Sequence, residues 1–169
     1  ARRESKILSI DHKEGRDGPL IFVNISHEIF QGGKLCMEEQ CDLVYLGARA
    51  PHKPASSKGK RPELNPRAIV KTITPDPVLL FRFSALTFNS HRIHYDRPYA
   101  VSEEGYPNLV VHGPLVAVLL MELVRKHIEA PVQAFSFKGR APLFEGAPFR
   151  LIAIPDDGRV VLRAEGPDG

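Results

Sequence analysis

One helix-like stretch sets the strongest limit on how this chain can fold. From Pro114 to about Lys126, the residues Leu115, Val116, Ala117, Val118, Leu119, Leu120, Met121, Leu123 and Val124 are apolar nearly all round the helical wheel. Gly113 precedes the stretch and Pro114 suits the first helical position. Arg125, Lys126 and His127 suit the negative end of the helix dipole. A helix apolar on almost every side must be enclosed. A bilayer does not supply the enclosure, because a span takes ~20 apolar residues and the longest apolar run here is Leu115–Met121. No membrane role is expected, so the cover must be protein. Strand-like segments follow at Val132–Lys138, Pro148–Ile154 and Val160–Ala164, with Asp156-Asp157-Gly158 as a tight turn between the last two. One buried helix followed by antiparallel strands implies an α+β unit in which a sheet wraps a helix.

Upstream, Ile7–Ile10, Leu20–Ile29 and Leu35–Leu46 have the β-branched, partly alternating character of strands. Asp17-Gly18 and Gly32-Gly33 separate them as hairpin signals, giving an antiparallel meander over roughly residues 5–46. The meander has no helix of its own, and a small bare sheet in water is marginal. It is expected either to dock on the rest of the chain or to need residues further upstream. Between 47 and 76, Pro51, Pro54, Pro62, Pro66 and Pro75 interrupt any regular element, which reads as a linker. Val78–Phe83 is expected to be the strand that opens the second unit. The expected division is therefore 1–46, 47–76 and 77–169. The terminal Gly166-Pro167-Asp168-Gly169 is a turn signal with no strand behind it, so a chain cut at both ends is expected.

Composition narrows the function classes. Hydrophobic residues make up 43% and charged residues 25%, as in soluble globular proteins. Ala1-Arg2-Arg3-Glu4 leads into mixed sequence, without the apolar core of a secretory leader. Cys36 and Cys41 lie five residues apart in a strand-like segment, on opposite faces, and are expected to be reduced and structural. A cytoplasmic location follows, or the mitochondrial matrix in a eukaryote. The net charge of +3 owes much to Lys53, Lys58, Lys60, Arg61 and Arg67. No aromatic residue interleaves them, so the stretch lacks the stacking platforms of single-strand binders and nucleic acid is not expected. A mild positive field also suits a phosphate-bearing ligand.

Chemistry concentrates in two short segments. Asn89, His91, His94 and Asp96 fall within eight residues, in a stretch too polar for a core strand and too irregular for an amphipathic helix. Histidine titrates near neutrality and so suits general acid–base work, although a single loop histidine more often caps backbone groups. The second segment, Val111-His112-Gly113-Pro114, sets a glycine at the start of the apolar helix, where free backbone N–H groups face the positive end of the dipole. Such donors stabilise negative charge developing on a carbonyl oxygen. Together the segments imply a base and an oxyanion donor in one site.

The string from Phe81 to Asp96, with Val111-His112-Gly113-Pro114 and the run Phe137-Lys138-Gly139-Arg140-Ala141-Pro142-Leu143-Phe144-Glu145-Gly146, resembles the MaoC-like dehydratase family. More narrowly, it is similar to the branch of mesaconyl-CoA hydratases and mitochondrial-type 3-hydroxyacyl-thioester dehydratases. It is strong over residues 77–150 and weaker over 14–46. It implies a hot-dog fold, an antiparallel sheet wrapped around a central helix, with the closing strands of a first hot dog followed by a nearly complete second one.

The resemblance also implies roles. His94 falls on the family's catalytic histidine, and Asn89 falls where the broader family has an aspartate. Asn89 would orient a water, His94 would move its proton, and the Gly113 N–H would polarise a thioester carbonyl. His112, Asp96, Lys138 and Arg140 are expected at the substrate, the last two near coenzyme A phosphates; strand-edge charge is the competing reading of that pair. The expected ligand is an acyl-CoA or acyl-carrier thioester, and a homodimer is expected. Neither metal nor other cofactor is expected, since no carboxylate or cysteine completes a ligand spacing with the histidines. Competing functions are a hot-dog thioesterase, for which Glu122 is the only acid in the helix body, and a non-catalytic thioester-binding or assembly protein.

Overall fold

A computed structural model describes residues 1–15, 18–46 and 63–167. The chain divides into two compact units, Ala1–Ala50 and Pro51–Gly169.

In the first unit, β1 (Arg2–Gly15), β2 (Gly18–Gln31) and β3 (Lys34–Leu46) form the expected meander in the order β1-β2-β3. All three strands are longer than, or as long as, the sequence pattern suggests. Gly32 and Gly33 turn the second hairpin with φ of 58° and 78°, a left-handed pair that side chains resist. Asp17, in the other expected turn, lies outside the described residues. A bulge between Ile7 and Ser9 shifts the register, so that Ile7 opposes Ile25 and Ile10 opposes Val23. Those four therefore share one face with Leu43 and Cys41, which oppose Val23 and Ile25 from β3. The opposite face carries Asn24, whose Nδ2 donates to Asp42 Oδ1 at 2.6 Å. Both cysteines are free.

In the second unit, β4 (Ile69–Ile73), β5 (Phe149–Asp156) and β6 (Arg159–Glu165) form an antiparallel sheet with β5 in the centre. Helix α3 (Gly113–His127) packs on this sheet. Leu120 and Leu123 meet Phe149, Leu151 and Ala153, alternate residues of β5. A second cluster surrounds Leu115 at the other end of α3, built from Leu80, Ile93, Ala100 and Leu109–Val111. One helix thus joins the sheet to the polar segment. Its outer side is open all the same: Val118 is 56% exposed.

Three expectations are corrected. Val78–Phe83 is not a strand but part of helix α1 (Pro77–Thr87). Asp76 Oδ1 accepts from Leu79 N at 2.7 Å, and Pro77 fills the first turn, where no N–H is needed. The pattern then buries Leu80 and Ser84, one turn apart. The linker expected over 47–76 contains β4, whose Ile69-Val70-Lys71-Thr72-Ile73 pairs with Phe149–Ala153; residues 47–62, which hold most of the basic stretch, lie outside the described residues. Val132–Lys138 is irregular and exposed. Both edges of β5 are already taken, by β4 and β6, so this segment finds no ladder there. The turn at Asp157 and Gly158 forms as expected, with φ of 26° and 75°.

Candidate active site

The site begins where α1 ends. Phe88 takes a left-handed conformation, φ 53° and ψ 32°, which stops the helix and turns Asn89 back so that its N–H donates to Ser84 O at 2.9 Å. Asn89 Oδ1 then accepts from His91 N at 3.0 Å, an Asx turn. A short 3₁₀ turn, Arg92–His94, follows. Asp96 closes the loop: its Oδ1 accepts from Tyr99 N at 3.1 Å to cap helix α2 (Arg97–Ser102), and its Oδ2 accepts from Arg92 Nη2 at 2.8 Å. Those Arg92 bonds hold the Asp96 carboxyl below the usual carboxylate range.

The extended segment 109–111 holds the loop from the other side. Val110 N donates to Ile93 O at 2.9 Å, and Val110 O lies 2.8 Å from His94 Nδ1. A carbonyl only accepts, so Nδ1 carries the proton and the neutral ring presents the lone pair of Nε2. His94 is 8% exposed. Burial pushes its pKa below 6.5 and the nearby His91 adds to this, against the Val110 carbonyl, which favours the charged ring.

The His94 ring lies flat on that of His112, with centroids 3.7 Å apart. His112 is the residue immediately before α3, and its side chain caps nothing there. Its Nε2 instead lies 2.8 Å from Ser84 Oγ. Gly113 and Pro114 open the helix, and a Cβ built on Gly113 meets no atom within 4 Å. The first-turn amides of a helix have no intrahelical acceptor; Pro114 has no N–H and Val116 N already donates to His112 O, so Gly113 and Leu115 carry the N–H groups left at this end. A proton acceptor therefore stands beside the positive end of a 15-residue helix.

Of the residues expected at the site, the structure brings His94, His112 and Gly113 together, and joins Asn89 to them through Ser84 and His91. Asp96 caps α2 and pairs with Arg92, and so holds the loop. Lys138 and Arg140 are corrected from strand positions to the exposed irregular segment, and among the described residues neither bonds to the histidines. Ser84 and the Val110 carbonyl, which meet His112 and His94, are positions that the sequence did not single out. Glu122, the acid a thioesterase reading needs, is held by Arg125 at 3.0 Å and Lys126 at 2.9 Å. Among the described residues no three His, Cys, Asp or Glu side chains are grouped to hold a metal ion, and no helix is long and apolar enough to cross a membrane.

The family model described as hydroxyacyl-thioester dehydratase type 2 matches residues 1–145. The chain belongs to that family. Over 169 residues, all of this chain and 60% of the relative, it is 59% identical to mesaconyl-C(4)-CoA hydratase of Chloroflexus aurantiacus. Over 130 residues, 75% of this chain and 42% of the relative, it is 35% identical to the mitochondrial hydroxyacyl-thioester dehydratase type 2 of Schizosaccharomyces pombe. It thus spans less than two thirds of either relative. Among solved structures, HtdX of Mycobacterium tuberculosis is similar with a TM-score of 0.65 at 19% identity, over 99% of this chain and 63% of that one. A MaoC-like dehydratase of Phytophthora capsici matches at 0.65 and 15% identity, over 98% of this chain and 59% of that one. This member of the hydroxyacyl-thioester dehydratase family accordingly has the MaoC-like hot-dog fold.

Proposed function

We propose that this chain carries the site of a hydro-lyase that interconverts an enoyl-CoA and a 3-hydroxyacyl-CoA. The observation that carries the reading is the bond from His94 Nδ1 to Val110 O, which aims a neutral Nε2 lone pair from a ring stacked on the residue before Gly113. In hydration, Nε2 takes a proton from water as its oxygen bonds the β-carbon of the enoyl thioester. The electrons shift to the thioester oxygen, where the Gly113 N–H stabilises the enolate, and return of the proton from His94 to the α-carbon completes the addition and restores the neutral ring. Dehydration runs the same steps backwards. Asn89 orients the water. General acid–base catalysis supplies roughly 10²–10⁴-fold and one oxyanion donor roughly 10²–10³-fold, with no call for a metal or redox group.

A small branched or dicarboxylic C4–C5 acyl-CoA is the preferred substrate in this reading, supported by the mesaconyl-C(4)-CoA hydratase likeness. Residues 1–46 read as the closing strands of one hot dog and the second unit as most of another, in a cytoplasmic or matrix homodimer. The test is loss of enoyl absorbance across a panel from crotonyl-CoA to mesaconyl-CoA, for the protein and its His94→Ala variant. Turnover that drops at least about 100-fold in the variant is the expected result. A folded protein that turns over no thioester would leave a binding or assembly role.

A further inference from the structure

The hydration chemistry uses His94 and leaves His112 without a part. His112 is 1% exposed, and protein encloses it. Ser84 Oγ meets its Nε2 at 2.8 Å, the Phe83 ring meets it edge-on at 4.9 Å, and His94 covers its face at 3.7 Å. Ser84 is itself only 5% exposed. The remaining ring nitrogen, Nδ1, is buried with no hydrogen-bond partner among the described residues. An apolar ring would fill this volume without burying an unpaired nitrogen, so packing alone does not account for the imidazole. So enclosed a ring is also badly placed to contact substrate.

We propose that Ser84 and His112 are positioning residues for His94: Ser84 fixes the His112 ring, and that ring holds the His94 imidazole in the plane that joins Nδ1 to Val110 O and aims Nε2 at the water. The proposal rests on the hydro-lyase reading for its catalytic consequence, but not for its geometry. A single hydrogen bond leaves an imidazole free to rock about its Cβ–Cγ bond, and a flat contact across the ring face removes that freedom. Small misplacements of a reacting group cost rate steeply. The stack also demands that His112 stay neutral, since two cations at 3.7 Å would repel. Burial, with His94 and His91 nearby, takes its pKa down to about 4. Around the pair, α1 contributes Ser84 and Phe83, the 109–111 segment contributes a carbonyl, and His91 is the other titrating group that faces it. Ser84 links the two halves of the site as well, because its own carbonyl receives the Asn89 N–H.

The experiment compares the full chain with its His112→Ala, His112→Phe and Ser84→Ala variants, by thioester turnover and by NMR titration of the His94 ring. His112→Ala is expected to lower kcat about 10- to 100-fold with KM within about threefold, and to raise the His94 midpoint as water reaches the ring. His112→Phe restores a flat face but loses the bond that fixes it to Ser84, and is expected to recover only part of kcat. Ser84→Ala, the mildest change, lowers kcat about three- to tenfold and serves if the His112 variants do not fold. A rise in KM at constant kcat would make His112 a substrate contact and overturn the proposal. An unchanged His94 titration in both His112→Ala and Ser84→Ala would also overturn it. If the parent protein turns over no thioester, the hydro-lyase reading fails, and the titration still decides whether His112 positions His94.

Discussion

The imidazoles of His94 and His112 lie face to face, 3.7 Å between centroids and 16° from parallel. Both are buried, and a proton on either ring raises the cost of a proton on the other. Only His94 has a partner that favours its charged form, the Val110 carbonyl. The pair is therefore asymmetric: His94 is the ring better able to accept a proton, and His112 is the ring held neutral.

This asymmetry fixes the pH profile. The proposed hydration needs neutral His94, whose pKa burial and His91 hold below 6.5. kcat/KM for an enoyl thioester is expected to be level through neutrality and to fall on the acid side with a midpoint below 6.5. Initial rates across about pH 5 to 8 check this. A midpoint above the ordinary histidine value would contradict it.

Stability should also depend on acid. His112 has a pKa of about 4 when folded and 6.5 when free. Between those values the unfolded chain binds more protons than the folded one, so stability rises with pH across the window. The contribution is complete above pH 6.5 and is lost as pH falls towards 4. Allowing for solvent screening, the loss is on the order of 2 kcal/mol. Denaturant unfolding at neutral and acid pH is expected to show less acid sensitivity in His112→Phe than in the parent. Equal sensitivity in both would remove His112 as its source.

Glu145 tests how firmly the 109–111 segment must be held. Arg97 Nη2 donates to Glu145 Oε2 at 2.8 Å, and Arg97 Nε to Asn108 Oδ1 at 2.8 Å. Asn108 Nδ2 donates to Glu145 O at 3.1 Å, and Glu145 N to Leu109 O at 2.9 Å. One residue on, Val110 orients His94. Glu145→Ala is expected to destabilise the protein by about 1–3 kcal/mol and to lower kcat, with Glu145→Gln milder in both. Thermal unfolding and turnover together check this; a large loss of stability with unchanged kcat would uncouple the network from the base.

Gly113→Ala separates the helix from the chemistry. The backbone there is not left-handed, and beyond the adjoining residues and the helix's own backbone a methyl group meets no atom within 4 Å. The fold should tolerate alanine: helix propensity favours it by up to about 1 kcal/mol, offset by the restriction that Pro114 places on a residue with a Cβ before it. A thioester oxygen, however, must come within roughly 2.7–3.1 Å of the Gly113 N–H. The methyl would crowd that approach, so kcat/KM is expected to fall about tenfold with the melting temperature unchanged or raised. Unaltered kcat/KM would move the carbonyl elsewhere.

How much of this was legible depended on the kind of signal. Helix α3 and strands β1, β2, β3, β5 and β6 announce themselves through apolar pattern and glycine turns such as Gly32-Gly33. Helix α1 does not, because Val78-Leu79-Leu80-Phe81 is too short for its period to show, and only the Asp76–Pro77 cap distinguishes it from a strand. Strand β4 was hidden among prolines, and its partner in β5 is far away in sequence: 84 residues separate Ile69 from Ala153, which it opposes, and 76 separate Ile73 from Phe149. Val132–Lys138 has strand composition but no strand partner among the described residues. Within the site, His94 stood out as chemistry in a polar loop. Ser84 did not, being one small residue in an apolar run, and a backbone carbonyl such as that of Val110 leaves no mark on a sequence at all.

Phe88 offers a stability test of the turn that delivers Asn89. At φ 53° it holds a conformation that glycine adopts freely and a bulky side chain resists by about 1–2 kcal/mol. The ring is 95% exposed, so little packing offsets that strain. The turn itself is made by backbone: Phe88 N donates to Ala85 O, and Asn89 N to Ser84 O. Glycine would keep both bonds and relieve the strain, while adding some freedom to the unfolded chain. Phe88→Gly is therefore expected to stabilise the protein by about 0.5–1 kcal/mol, a rise of a few degrees in melting temperature. A clear drop instead would mean that the exposed ring makes a contact whose loss outweighs the relief of a left-handed backbone.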